Sequence, residues 1–172
     1  MIQAKSKLSK VLLIVLGLIL AGIIGFLLPH KSLIVEKPIL YKVVEVIDGD
    51  TIKVSLNNKE ETIRLLGIDT PEVPNPYKPT GCFGEEASNR TKELLKNKSV
   101  FLIPDPMSSN RDKYNRLLRY VFLENGYFLN VELIKEGYAY NYIYEPFQFM
   151  KEFNRLETIA KDEKLGLWNI CE

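Results

Sequence analysis

Three short clusters carry side chains able to work on a phosphodiester: Asp48-Gly49-Asp50-Thr51, Arg64-Leu65-Leu66-Gly67-Ile68-Asp69-Thr70-Pro71-Glu72, and Arg111-Asp112-Lys113-Tyr114-Asn115-Arg116. Taken singly each is ordinary, since an Asp-Gly-Asp triplet is more often a turn than a metal site and an arginine in a strand is usually solvated or paired. Together they hold what hydrolysis of a phosphate ester without histidine requires. When water attacks phosphorus, negative charge collects on the non-bridging oxygens, and cations must sit where it develops. Arg64 and Arg116 suit this because a guanidinium stays protonated and its planar fork donates two parallel hydrogen bonds. A hard divalent cation neutralises the same phosphate and needs carboxylates from separate segments, a need that Asp50 and Asp69 meet at strand ends. Glu72, just past Asp69 on a turn shaped by Pro71, is the carboxylate placed to take a proton from the attacking water.

Composition removes the alternatives. The only histidine, His30, lies at the edge of an N-terminal apolar block, so a Ser-His-Asp triad or a His-based zinc site in the domain is excluded. Two cysteines cannot build a Cys-rich zinc site. From residue 38 onward 18 Lys and Arg stand against 21 Asp and Glu, so the domain is mildly acidic and cannot grip a polyanion by bulk charge. A chain of 172 residues holds one well-cored domain plus an appendage.

The elements that must position these clusters read as a small barrel. Ile39 to Ile47 is a β-branched strand broken at Asp48-Gly49-Asp50, Thr51 to Leu56 resumes with alternation, and a turn at Asn57-Asn58-Lys59 leads to a strand over Glu61 to Gly67. Thr70 to Gly84, rich in proline, is an irregular loop of the length that usually has a function. A helix over Glu85 to Lys96, a strand over Ser99 to Ile103, a polar loop and a strand over Leu117 to Leu123 follow. Asn130 is expected to cap a short helix that runs through Glu136 and is stopped by Gly137, and the last helix is expected from about Phe147 to Lys164. Five strands with one helix between the third and fourth is the order of an OB-like barrel, so the expected fold is α+β, mainly β, a five-stranded barrel with three helices over residues 39–172. Tyr138, Tyr140, Tyr142 and Tyr144 alternate and would share one side of an extended stretch, where aromatic rings can stack on splayed bases or cover the barrel.

The order DGDT, RLLGIDTPE, DKYNR and a closing KLGLW, over roughly residues 38–169, resembles the staphylococcal nuclease (thermonuclease) family. The resemblance implies a Ca2+ site made by Asp50, Asp69 and the backbone carbonyl of Thr70, with Asp48 close by. It also implies that Arg64 and Arg116 bind and stabilise the phosphate and that Glu72 acts as general base or orients the water. Lys113, Tyr114 and Tyr142 match positions lining a nucleotide pocket, and Tyr144 belongs to the same tyrosine-rich segment. The implied activity is cleavage of the 5′ P–O bond in DNA and RNA, single strands or loosened duplexes, to leave 3′-phosphates. An alternative is a catalytically weak OB-fold module that only binds single strands. Two positions depart from the family: Asn115 stands where glycine often precedes the second arginine, and Ile103 stands where a strand carboxylate helps to position it.

Lys5, Lys7 and Lys10 precede an unbroken apolar run over residues 11–28, close to the ~20 residues a membrane-spanning helix needs. The expectation is a cytoplasmic segment (1–10), a signal anchor (11–28) and a short connector (29–38), with a monomeric catalytic domain outside the cell membrane. The alternative is secretion after signal cleavage. In an oxidising exterior Cys82 and Cys171 are expected to bridge, whereas in a reducing cytosol they would be small buried hydrophobes.

Overall fold

The computed structural model describes residues 39–73 and 81–171. The expected cytoplasmic segment, signal anchor and connector lie outside the described residues, as do residues 74–80 of the proline-rich loop. No helix among the described residues is long and apolar enough to cross a membrane.

Alternating apolar positions fold the first part of the domain into an antiparallel meander of β1 (Tyr41–Val46), β2 (Thr51–Leu56) and β3 (Lys59–Leu65). Ile52, Val54, Ile63 and Leu65 point into the core with no exposure. Asn57 and Asn58 both take positive φ, as a two-residue hairpin between Leu56 and Lys59 demands. After β4 (Ile68–Asp69) and α1 (Gly84–Leu95) come β5 (Ser99–Ile103) and β6 (Leu117–Leu123). The five long strands close as a barrel in the order β1-β2-β3-β6-β5, with β3 and β6 parallel. The five-stranded barrel expected from the sequence is therefore the architecture of the domain.

Four helices occur among the described residues rather than three, the others being α2 (Leu129–Lys135), α3 (Met150–Asp162) and the short α4 (Leu167–Ile170). The long helix begins at Met150, not Phe147, because the Phe147 ring enters the core and the Gln148 N–H is taken by the Asp105 carboxylate. Asn130 does not cap α2. It lies inside the helix, fully buried, accepting from the Val121 N–H at 3.0 Å and donating to the Leu66 carbonyl at 2.9 Å. A second pairing absent from the sequence reading joins β4 to β7 (Tyr140–Asn141) as a separate two-stranded ribbon.

Asp105 ties the loop before β6 to the core. The Tyr120 hydroxyl and the N–H groups of Gln148 and Met107 all donate to it, and Tyr120 is 1% exposed among Phe128, Phe149 and Phe153. Burial pushes the Asp105 carboxyl up, but these donors outweigh it and hold it below the ordinary carboxylate range. A depressed folded-state pKa means stability that is full above the unfolded value of about 3.9 and fades as pH falls through the folded value. Asp105→Ala is expected to cost about 2–3 kcal/mol near neutral pH, by leaving the Tyr120 hydroxyl without an acceptor. The difference from the parent should shrink below about pH 4, and urea unfolding at pH 7 and pH 3 checks both points.

Candidate active site

Register explains why distant clusters meet. Pairing of Thr51 with Arg64 across β2 and β3 sets the Asp48-Gly49-Asp50 turn beside Arg64, and the Leu65 N–H donates to the Asp50 carbonyl at 2.8 Å. Parallel pairing of Ile63 with Leu117 and of Arg64 with Leu118 then brings Arg116 to the same end of the barrel. The β4–β7 ribbon pairs Asp69 with Tyr140, and the Tyr142 N–H donates to the Gly67 carbonyl at 2.9 Å, which sets the tyrosine segment along the same opening. The result is a cleft of about 490 Å³ whose lining includes Asp48, Asp50, Arg64, Asp69, Glu72 and Arg116.

Alternation places Arg64 on the outer face of β3, between inward Ile63 and Leu65, yet it is only 8% exposed. Each of its three nitrogens has a partner. Nε lies 3.2 Å from Asp50, one Nη donates to Asp69 at 2.6 Å, and the other donates to the carbonyls of Leu65 (2.8 Å) and Ile68 (2.6 Å). Asp50, 5% exposed, also accepts from the Thr51 hydroxyl (2.9 Å) and from the Thr70 N–H (2.8 Å) and hydroxyl (3.2 Å). Gly49 permits this approach, because a Cβ there would lie 2.7 Å from the Thr70 side chain. Asp48 accepts the Asp50 N–H at 3.1 Å.

Burial first, and the negative charge of Asp50 second, push the Asp48 carboxyl up to about 6. The same two causes raise Asp69, which also feels Glu72 while Arg64 opposes the rise. Carboxylates thus crowd one another with a single buried guanidinium among them. The donors available are all oxygens, which suits a hard divalent cation, and such an ion would relieve that repulsion. Among the described residues, however, no three carboxylates are gathered closely enough to hold a metal ion as they stand, and Arg64 bridges Asp50 and Asp69.

Arg116 sits differently. Its Nε donates to Asp112 at 2.7 Å, its Nη1 approaches the Thr51 hydroxyl at 3.4 Å, and its guanidinium lies 5.4 Å from the centre of the Tyr114 ring, with Lys113 5.0 Å from that ring. Asp112, which the sequence reading did not assign, organises this turn, accepting also the N–H groups of Tyr114 (2.9 Å) and Arg116 (3.0 Å). Its Asp-to-Arg spacing of four residues was the available signal. Asn115 takes φ 65°, a left-handed conformation that asparagine tolerates, so the family's glycine is not needed there. Ile103 is 45% exposed and offers no carboxylate, which leaves Asp112 holding Arg116. Thr91, also missed, fastens the carboxylate turn from behind by donating to the Gly49 carbonyl at 2.8 Å.

The four alternating tyrosines do not share one role. Tyr138 stacks on Phe83 and Tyr140 meets the Trp168 ring edge-on, while Tyr142 (47% exposed) and Tyr144 (80%) line the cleft with Tyr114. The pairing of β7 is confined to Tyr140 and Asn141, so the extended stretch needed to align all four is lacking. Glu72 is exposed and lines the cleft, and Cys82 and Cys171 are joined in a disulfide between the turn before α1 and the end of α4.

Comparison with known proteins supplies a family and its relatives. Residues 62–170 match the family model described as Staphylococcal nuclease homologue. The chain is 38% identical over 130 residues to a thermonuclease of Staphylococcus hyicus, covering 75% of each chain. An endonuclease of Bacillus subtilis, YncB, is 43% identical over 125 residues, 72% of this chain and 58% of that one, so the match spans little more than half of that relative. An uncharacterized protein of Methanocaldococcus jannaschii is 40% identical over 147 residues, covering 74% of this chain and 70% of its own.

Proposed function

The chain belongs to the staphylococcal nuclease homologue family, and on that premise we propose that it is a calcium-dependent nuclease hydrolysing the phosphodiester bonds of DNA and RNA, cleaving the 5′ P–O bond. The observation that carries the reading is the meeting of Arg64, Arg116, Asp50, Asp69 and Glu72 on one cleft. Asp50, Asp69 and the Thr70 carbonyl, with Asp48 beside them, would hold the calcium ion. When bound, it supplies positive charge to a non-bridging oxygen of the phosphate.

The chain's own groups do the rest. Arg64 and Arg116 hold the scissile phosphate from two sides and bind its oxygens more tightly as charge grows on them. Glu72 accepts the proton of the water that attacks phosphorus, the bond to the 5′ oxygen breaks, and that oxygen takes up a proton from solvent, leaving a 3′-phosphate and a 5′-hydroxyl. Tyr114, Tyr142 and Tyr144 offer ring faces on which unstacked bases lie, and Lys113 adds a cation near the backbone. A domain carrying slightly more acid than base takes single strands and loosened duplexes more readily than long duplex.

Labelled single-stranded DNA, duplex DNA and RNA, digested with and without a calcium chelator, test the proposal. Hydrolysis with 3′-phosphate ends that stops on chelation and returns with calcium is expected; undiminished hydrolysis in chelator sinks it. We also place the domain outside the cytoplasmic membrane, on the strength of the lysines before the apolar run. The same substrates added to intact cells should then be cut without lysis.

A further inference from the structure

Glu72 is fastened to the rest of the domain through its backbone. The Gly81 N–H donates to the Glu72 carbonyl at 2.9 Å, and the Gly84 N–H closes the turn on the Gly81 carbonyl at 3.0 Å. Contact there leaves no room for side chains: a Cβ on Gly84 would lie 2.2 Å from the Glu72 carbonyl oxygen, and one on Gly81 would lie 2.9 Å from the Glu72 nitrogen. The turn at residues 81–84 is therefore the seat on which the Glu72 peptide rests.

That seat is tethered at its centre by Cys82, bridged to Cys171, 89 positions further along the sequence, with Cα atoms 5.8 Å apart. The far end is firm. Cys171 donates its N–H to the Leu167 carbonyl, and Leu167, 1% exposed, donates to the Gly137 carbonyl at 2.9 Å. Phe83, at φ 69°, holds a left-handed conformation costly for an aromatic residue, and such a conformation persists only where its surroundings impose it. One imposition is the Phe83–Tyr138 stack, and the other is the bridge at the preceding residue.

We propose that the Cys82–Cys171 bridge is a positioning device for Glu72, so that the rate of the proposed nuclease depends on the redox state of this pair. The inference rests on the nuclease reading. Cys82 is exposed and open to a small dithiol. One thiolate of the dithiol attacks a sulfur of the bridge, and its second thiolate resolves the mixed disulfide. The chain gains two electrons and two protons as two thiols, while the dithiol leaves as its own disulfide. The seat under Glu72 then loses its tie to α4, and small displacement of a catalytic group is enough to cost a large factor in rate. A chain still in a reducing compartment would work slowly and reach full rate where the bridge forms.

The full chain is assayed with calcium on a single-stranded DNA oligonucleotide, oxidised and after reduction with dithiothreitol, alkylation with iodoacetamide and removal of reagents. Mass spectrometry counts the alkylated thiols. Reduction should lower kcat tenfold or more with KM within twofold, and reoxidation of an unalkylated portion should restore kcat. In a Glu72→Gln background the residual rate should change less than twofold on reduction, a result that a merely stabilising bridge would not give. Equal rates for the oxidised and the folded reduced chain overturn the proposal, as does an equal loss in the Glu72→Gln background. Loss of the far-ultraviolet circular dichroism signal together with the rate assigns the bridge to global stability and also overturns it. A Cys82→Ser/Cys171→Ser double variant should repeat the reduced behaviour, and an oxidised chain that cuts nothing would instead sink the nuclease reading itself.

Discussion

Replacing Arg116 by alanine is expected to lower kcat by about 10²–10³-fold, the scale of removing one preorganised donor from developing oxyanion charge. The fold should hardly notice. Arg116 lies in a polar turn, partly exposed, and its ionic partner Asp112 keeps the N–H groups of Tyr114 and Arg116 after the guanidinium is gone. Pairs of this kind are worth up to about 1 kcal/mol, so the melting temperature should stay within about 4 °C of the parent. Arg116→Lys keeps the charge without the fork and should recover only part of the rate. Asp112→Asn should fall between, because it frees the guanidinium to leave the cleft without removing it. Steady-state kinetics with calorimetry on the same samples decides the matter. An Arg116→Ala variant that retains parental kcat would remove this residue from the chemistry.

The groups of the candidate site were legible because they lie in contiguous runs whose order the chain keeps: DGDT leading into β2, RLLGIDTPE across β3 and β4, DKYNR before β6. Barrel strands were legible for a related reason, since Ile52, Val54, Ile63 and Leu65 alternate with period two. What failed to show depends on contacts across sequence. Asn130 reads as a helix cap by local rules, yet its amide serves backbone groups of Val121 and Leu66, 9 and 64 residues away. Thr91 resembles any polar helix residue until α1 is laid against the Asp48 turn and its hydroxyl meets Gly49. The tyrosine alternation was real, but period two describes a face only where the chain stays extended, and β7 stops after Asn141.

Arg64→Ala should behave unlike Arg116→Ala, because the two arginines sit at different depths in the cleft. Arg64 is buried, and its removal leaves the Asp50 carboxylate, at 5% exposure, with neutral donors from Thr51 and Thr70 but no cation, and takes a donor from the carbonyls of Leu65 and Ile68. Asp69 suffers less, with its side chain half open to solvent. Removing one partner of a buried ion pair costs about 3–5 kcal/mol, since the remaining charge keeps its desolvation penalty without compensation. Unfolding in urea should shift by that amount, and the melting temperature by roughly 10–15 °C. Activity should vanish as well, but loss of rate alone cannot show that Arg64 touches phosphate when the chain is also less folded. Arg64→Lys separates the two effects. A lysine ammonium retains a positive charge between the carboxylates, so most of the stability should return, while it cannot serve both carboxylates, two carbonyls and a phosphate oxygen at once. Rates normalised to the folded fraction should therefore remain at least tenfold below the parent in Arg64→Lys. Full recovery of kcat with lysine would mean that charge alone is required at this position, and unchanged stability in Arg64→Ala would mean that Asp50 finds water or another donor within the turn.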